Sequence, residues 1–203
     1  MIRLLAPLYL ASASPRRHDI LNQMQVPHTV LKVPSPEGED EPRLDGESPL
    51  DYVKRTAADK LSHALHWRDQ QAQLDQHAAI LSADTTVALN ETILGKPLDT
   101  EQAVHFLQQL SGQTHQVFTA VCLAYQGRVH HALSISEIDF AALTHEQILA
   151  YCHTGEPMGK AGAYAIQGQA GIFVRQLRGS HSAVVGLPMH ETYQLLQQAH
   201  LLR

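Results

Sequence analysis

The stretch Leu8-Tyr-Leu-Ala-Ser-Ala-Ser-Pro-Arg-Arg17 decides the fold class. It reads as a short buried strand, a tight turn and a helix beginning at Pro15. Proline suits the first helical position, because the amide it lacks would have had no partner there. Ser14 stands before it as an N-cap whose hydroxyl can accept from a helix amide. Working outward, His28–Val33 reads as a second strand and Pro34–Glu47, rich in Pro, Gly and acids, as a loop. Ser48–Trp67 carries Leu50, Val53, Ala57, Leu61, Ala64 and Leu65 at helical spacing. Ala78–Leu89 reads as a buried strand, turned by Asn90-Glu91 into Thr92–Leu94. Asp99 caps a helix to about Leu110, ended by Gly112.

Thr114–Tyr125 and Arg128–Phe140 flank Gln126-Gly127 and predict a long antiparallel hairpin. Thr144–His153 follows as a short helix capped by Thr144, and Gly155–Gly171 is glycine-rich. Ile172–Leu177 and Ala183–Val185 read as strands, and Pro188 opens a last helix towards His200. Strands alternating with helices predict an α/β or α+β architecture built on a mixed sheet. No repeat or low-complexity tail divides the 203 residues, so they are expected to form a single domain, 1–203.

Composition excludes several classes. A formal charge of −5 makes stable nucleic-acid binding a poor expectation. No apolar run is long enough to span a bilayer. Arg3, Leu4–Leu10 and Ala11-Ser12-Ala13 imitate a signal peptide, but Pro7 breaks the short apolar run. Two cysteines without metal-type spacing, Cys122 and Cys152, fit a reducing, cytoplasmic setting. The 14 histidines are scattered and form no zinc motif. Ser182 lacks the Gly-x-Ser-x-Gly elbow of a hydrolase nucleophile.

Three polar clusters interrupt otherwise buried segments. In the first, Arg16 and Arg17 put positive charge at a helix end that is already positive, which is unfavourable unless an anion sits there. With Ser12, Ser14 and free amides they suit a polyphosphate; solvated arginines on a capped surface helix are the alternative. The second is Ser82-Ala-Asp-Thr-Thr86, which puts a carboxylate in an apolar strand. Such a charge needs a partner, a metal or a function, unless it merely accepts backbone hydrogen bonds at a bulge. The third is Gly159-Lys-Ala-Gly-Ala-Tyr-Ala-Ile-Gln-Gly168, where Lys160 can reach a phosphate and Gln167 offers a donor beside an acceptor. Gly95-Lys-Pro97 adds Lys96 on a stiff turn. One acid of the 34–47 loop beside Asp84 would make an oxygen-only site of the kind magnesium accepts.

In this order the motifs resemble the Maf family, the septum-formation-type nucleotide pyrophosphatases. The resemblance runs from Leu8 to about Gln197. It rests on Ser12-Ala-Ser-Pro-Arg-Arg17, Lys60, Ala83-Asp-Thr85, Gly95-Lys-Pro97, Leu110-Ser-Gly-Gln-Thr-His115, Lys160-Ala-Gly-Ala-Tyr-Ala-Ile-Gln-Gly168, Gly179-Ser180 and Val185-Gly-Leu-Pro188.

The resemblance implies an elongated, two-lobed α/β fold of the Maf/ITPase-like type, a mixed twisted sheet with flanking helices and a central cleft. It implies metal-dependent cleavage of a nucleoside triphosphate to the monophosphate and pyrophosphate. Asp84 matches the family's proton acceptor. Arg17, Thr85 and Gln167 match positions tied to base choice in the branch acting on dTTP and UTP. Asp84, Lys96 and Lys60 are thus the expected catalytic set, and Ser12, Ser14, Arg16, Arg17, Thr85, Lys160 and Gln167 the expected substrate-binding set. Glu37 and Asp84 are the expected ligands of a divalent cation, Mg²⁺ or Mn²⁺. His181-Ser182 departs from the family, many members of which carry an asparagine nearby. The same reaction on 7-methyl-GTP or a modified nucleotide is one alternative, and a non-enzymatic, nucleotide-binding regulator of cell division is another. A homodimer is left open.

Overall fold

The computed structural model describes residues 2–34 and 42–203. Among the described residues seven strands, β1 (Leu8–Leu10), β2 (Thr29–Val30), β3 (Ala79–Leu89), β4 (Thr92–Leu94), β5 (Thr114–Tyr125), β6 (Arg128–Phe140) and β7 (Val174–Arg178), form one sheet in the order β2-β1-β3-β5-β6-β7, with β4 paired to β3. β1 runs parallel to β2 and β3, whereas the β3-β5-β6-β7 pairings are antiparallel. The sheet is therefore mixed. The helices are α1 (Pro15–Gln23), α2 (Pro49–Asp69), α3 (Thr100–Leu110), α4 (His145–His153), α5 (His181–Val185) and α6 (Met189–Gln198). No described helix is long and apolar enough to cross a membrane.

The hairpin forms as its sequence dictates. β5 and β6 pair from Thr114↔Asp139 to Tyr125↔Arg128. Gln126 and Gly127 both take positive φ, 49° and 74°, as the two-residue turn matching strand twist requires. α2 starts at the Ser48 cap, whose hydroxyl accepts from the Asp51 amide, and buries Val53, Ala57, Leu61 and Ala64. α4 begins with a complete capping box between Thr144 and Gln147.

Strand alternation sorts β3 onto the two faces of the sheet. Ile80 and Ala88 pack with Val53, Ala57, Leu61 and Ala64 of α2. Ala79, Leu81 and Ala83 pack instead with Leu21 of α1 and Leu195 and Leu196 of α6. Further along that second face, Val87 joins Leu107 of α3, Ile148 of α4 and Phe173. Asp84 and Thr85, as neighbours in a strand, must then face opposite sides: Asp84 the α2 side, Thr85 the α1 side.

Three local expectations are corrected. Ser14 precedes α1, but its side chain makes no capping bond. Its amide instead donates to Ser12 Oγ at 3.2 Å. Ala183–Val185 is helical, within α5. Ser180 supplies the reason, since its hydroxyl caps the Ala183 amide and so outweighs the strand preference of two valines. The second strand is shorter than expected, Thr29–Val30 alone.

Candidate active site

A cavity of about 630 Å³ opens where β1 and β2 end, beside the middle of β3. Ligands in open α/β sheets gather outside the carboxyl ends of parallel strands, because the chain there leaves the sheet as loops with free backbone groups. The turn after β1 brings Ser12, Ser14, Arg16 and Arg17 to the wall, and the segment after β2 brings Lys32. Asp84 and Thr85 come from β3, Lys60 from α2, Lys96 from the turn after β4, and Lys160 and Gln167 from the glycine-rich segment. Every expected site residue among the described ones thus lines one cavity. Glu37 lies outside the described residues.

The glycine-rich segment reaches this wall through close backbone contact. The Gly162 amide donates to the Gly95 carbonyl at 3.1 Å. A Cβ on Gly162 would sit 2.8 Å from Val87 Cγ1, and its φ is +69°. Only glycine meets both conditions, and the contact places the Lys160 segment against the Lys96 turn.

The charge distribution is one-sided. Arg16, Arg17, Lys32, Lys60, Lys96 and Lys160 line the wall, and Asp84 is the one carboxylate among the described lining residues. Asp84 is 13 % exposed at its side chain, and its Oδ1 accepts from the Lys60 ammonium. Thr86 donates to its Oδ2 at 3.4 Å. Asp84 is thus held by a cation on α2 and a hydroxyl of its own strand; it does not sit at a backbone bulge.

Arg17 is anchored differently. Its Nε donates to the Gly186 carbonyl at 2.8 Å, one Nη to Ser12 Oγ at 3.0 Å and the other reaches Thr85 Oγ1 at 3.5 Å. Burial lowers its pKa, and Asp84 opposes that shift. Arg16 is also lowered by burial, and its side chain has no partner among the described residues. Lys160 is lowered by burial and then by Arg16. Cations made less comfortable by burial and by each other gain most from a bound polyanion.

Gln167 is exposed, and its side chain makes no hydrogen bond among the described residues. The loop that carries it is braced by others: Tyr151 donates to Glu156 at 2.9 Å and accepts from the Ala165 amide at 3.2 Å. No group of three metal-ligating side chains occurs among the described residues. One carboxylate completed by phosphate oxygens and water remains a donor set that magnesium takes, since it keeps much of its hydration. Asp84 fits that role.

Sequence reading missed Lys32, Tyr52 and His63, which also line the cavity. The signal for Lys32 was its position just past a parallel strand. His63 follows Lys60 by three residues and so shares its helix face. Ser182 is accounted for by structure: its hydroxyl pairs with Ser180 and accepts from the Met189 amide.

The family model described as "Maf-like protein" matches residues 7–199. A dTTP/UTP pyrophosphatase of Bordetella parapertussis is 50 % identical over 192 residues, 95 % of this chain and 92 % of the relative. One of Cupriavidus pinatubonensis is 48 % identical over 198 residues, 96 % of this chain and 97 % of the relative. One of Xanthomonas campestris pv. campestris is 49 % identical over 190 residues, covering 93 % and 96 %.

Proposed function

The chain belongs to the Maf family, and we propose that it hydrolyses dTTP and UTP to the nucleoside monophosphate and pyrophosphate. The observation that carries this reading is Asp84, the one carboxylate among the described cavity-lining residues, held by Lys60 within a wall of cations. A protein that only bound polyanions would gain nothing from a carboxylate there. The activity named for relatives about half identical over nearly the whole chain supports the same reaction.

Cleavage between the α and β phosphates needs an oriented water, a proton acceptor and positive charge on the departing pyrophosphate. Asp84 takes the proton from water, with Lys60 and Thr86 fixing the direction of its carboxylate. Arg16, Lys96 and Lys160 face the phosphates, and Ser12 and Ser14 contribute polar groups from the turn. Asp84 would also hold a divalent cation, Mg²⁺ or Mn²⁺, which would add positive charge against the leaving group. Gln167 donates its side-chain N–H to an imide carbonyl oxygen of uracil or thymine, at the place where cytosine carries an amino group. Removing nucleotides from the pool suits a cytoplasmic enzyme, and the two free, buried cysteines suit a reducing compartment.

The test is product release across a panel of dTTP, UTP, CTP, GTP and 7-methyl-GTP, with magnesium and with excess chelator. Pyrophosphate from dTTP and UTP, abolished by chelator, is the expected result. Preference for 7-methyl-GTP would move the chain to the other substrate class. No turnover of any triphosphate would leave a nucleotide-binding regulator.

A further inference from the structure

The hydroxyl of Thr119, on β5, is fully buried and lies behind Thr85, out of the cavity lining. Its Oγ1 is 2.8 Å from the carbonyl of Ala183 and 3.1 Å from Thr85 Oγ1. A carbonyl can only accept, so the one proton on Thr119 goes to Ala183. That carbonyl needs it, because α5 ends here and the amides of Gly186 and Leu187 both turn to Ser182 instead. Thr119 can then only accept from Thr85. The Thr85 proton is committed away from the cavity, and Thr85 Oγ1 meets the cavity as an acceptor.

Arg17 stands beside it. Of five guanidinium N–H groups, three go to Gly186, Ser12 and Thr85. The remainder keep donor capacity next to the Thr85 acceptor. Donor beside acceptor is the complement of an imide edge, whose carbonyl oxygen adjoins an N–H. Cytosine presents an unprotonated nitrogen at the same place, which would oppose the lone pair of Thr85. Thr85 also points to the opposite face of the sheet from Asp84.

We propose that Thr119 is a positioning residue that sets base selectivity, by locking Thr85 as a hydrogen-bond acceptor towards the pyrimidine N3–H. The inference rests on the dTTP/UTP reading above. It adds a residue that never touches substrate, and a direction for one proton.

The experiment compares kcat/KM for UTP and CTP in the parent, Thr119→Val and Thr119→Ser. In Thr119→Val the Thr85 hydroxyl is released to rotate and donate to N3 of cytosine. The UTP-to-CTP ratio is expected to fall roughly tenfold or more, chiefly through KM. Thr119→Ser, which keeps the hydroxyl, restores the parent ratio. Thr119→Ala provides the same test without added bulk should the valine variant fail to fold. A variant that loses activity equally on both nucleotides overturns the inference and leaves Thr119 as a structural tie. Failure of the underlying reading looks different: the unmodified protein would then show no preference for UTP over CTP.

Discussion

Lys60 and Asp84 are joined across the packing interface between α2 and β3, ammonium to carboxylate, on the floor of the cavity. Neither partner is near the other in sequence. The helix period places Lys60 on the cavity-facing side of α2, and strand alternation turns Asp84 towards that helix. The pairing therefore follows from how two regular elements stack.

Asp84→Asn is expected to fold and to lose about 10²–10⁴-fold in activity, the usual contribution of a general base. Stranding a buried charge is normally destabilising. The Lys60 side chain is 39 % exposed, however, and can turn to water. Pyrophosphate release at matched stability is the measurement. Activity within a few-fold of the parent would remove Asp84 from both base and metal-ligand roles.

Gln167→Ala should leave the melting temperature unchanged, because the side chain is exposed and makes no hydrogen bond among the described residues. The UTP-to-CTP efficiency ratio should fall about ten- to a hundredfold through loss of a base contact. An unchanged ratio would exclude Gln167 from base recognition.

Tyr151→Phe separates bracing of the loop from recognition by it. The phenol donates to Glu156 and accepts from the buried Ala165 amide, while Glu156 also accepts from the Gln169 amide at 3.2 Å. Removing the hydroxyl should destabilise the protein by about 1–3 kcal/mol, since a buried N–H loses its acceptor. KM should rise for UTP, dTTP and CTP alike. A change in the UTP-to-CTP ratio would show that Tyr151 takes part in reading the base.

The regular parts of this fold were legible because local and global preferences agree in them. Gln126-Gly127 is a turn signal with a mechanism, and the flanking strands pair as it dictates. Ala183-Val-Val185 was misread because composition favours a strand, whereas the deciding contact, the Ser180 cap, lies outside the window. The polar clusters around Ser12, Asp84 and Lys160 were legible as interruptions of apolar segments. Their convergence was not, because it depends on the approach of Gly162 to Val87 and Gly95, contacts between residues about 70 positions apart. Thr119 was invisible for a related reason: a threonine in a strand is ordinary until its hydroxyl is seen between Thr85 and Ala183.

Stability should fall in acid through His115. Its ring is buried between Phe140 and Tyr164, with Nε2 2.9 Å from the Tyr164 hydroxyl. Its Nδ1 is buried without a hydrogen-bond partner among the described residues. Burial lowers its pKa from the ordinary 6.5 to about 4. The unfolded chain therefore binds this proton more readily than the folded one between those values, and unfolding free energy rises with pH across that window. The contribution is complete above about pH 6.5 and is lost progressively as pH falls towards 4, amounting to about 3 kcal/mol. Urea unfolding measured at intervals from pH 7.5 to 4.5 should show this slope, and His115→Leu should flatten it. A His115→Leu curve parallel to the parent's would assign the acid sensitivity to other groups.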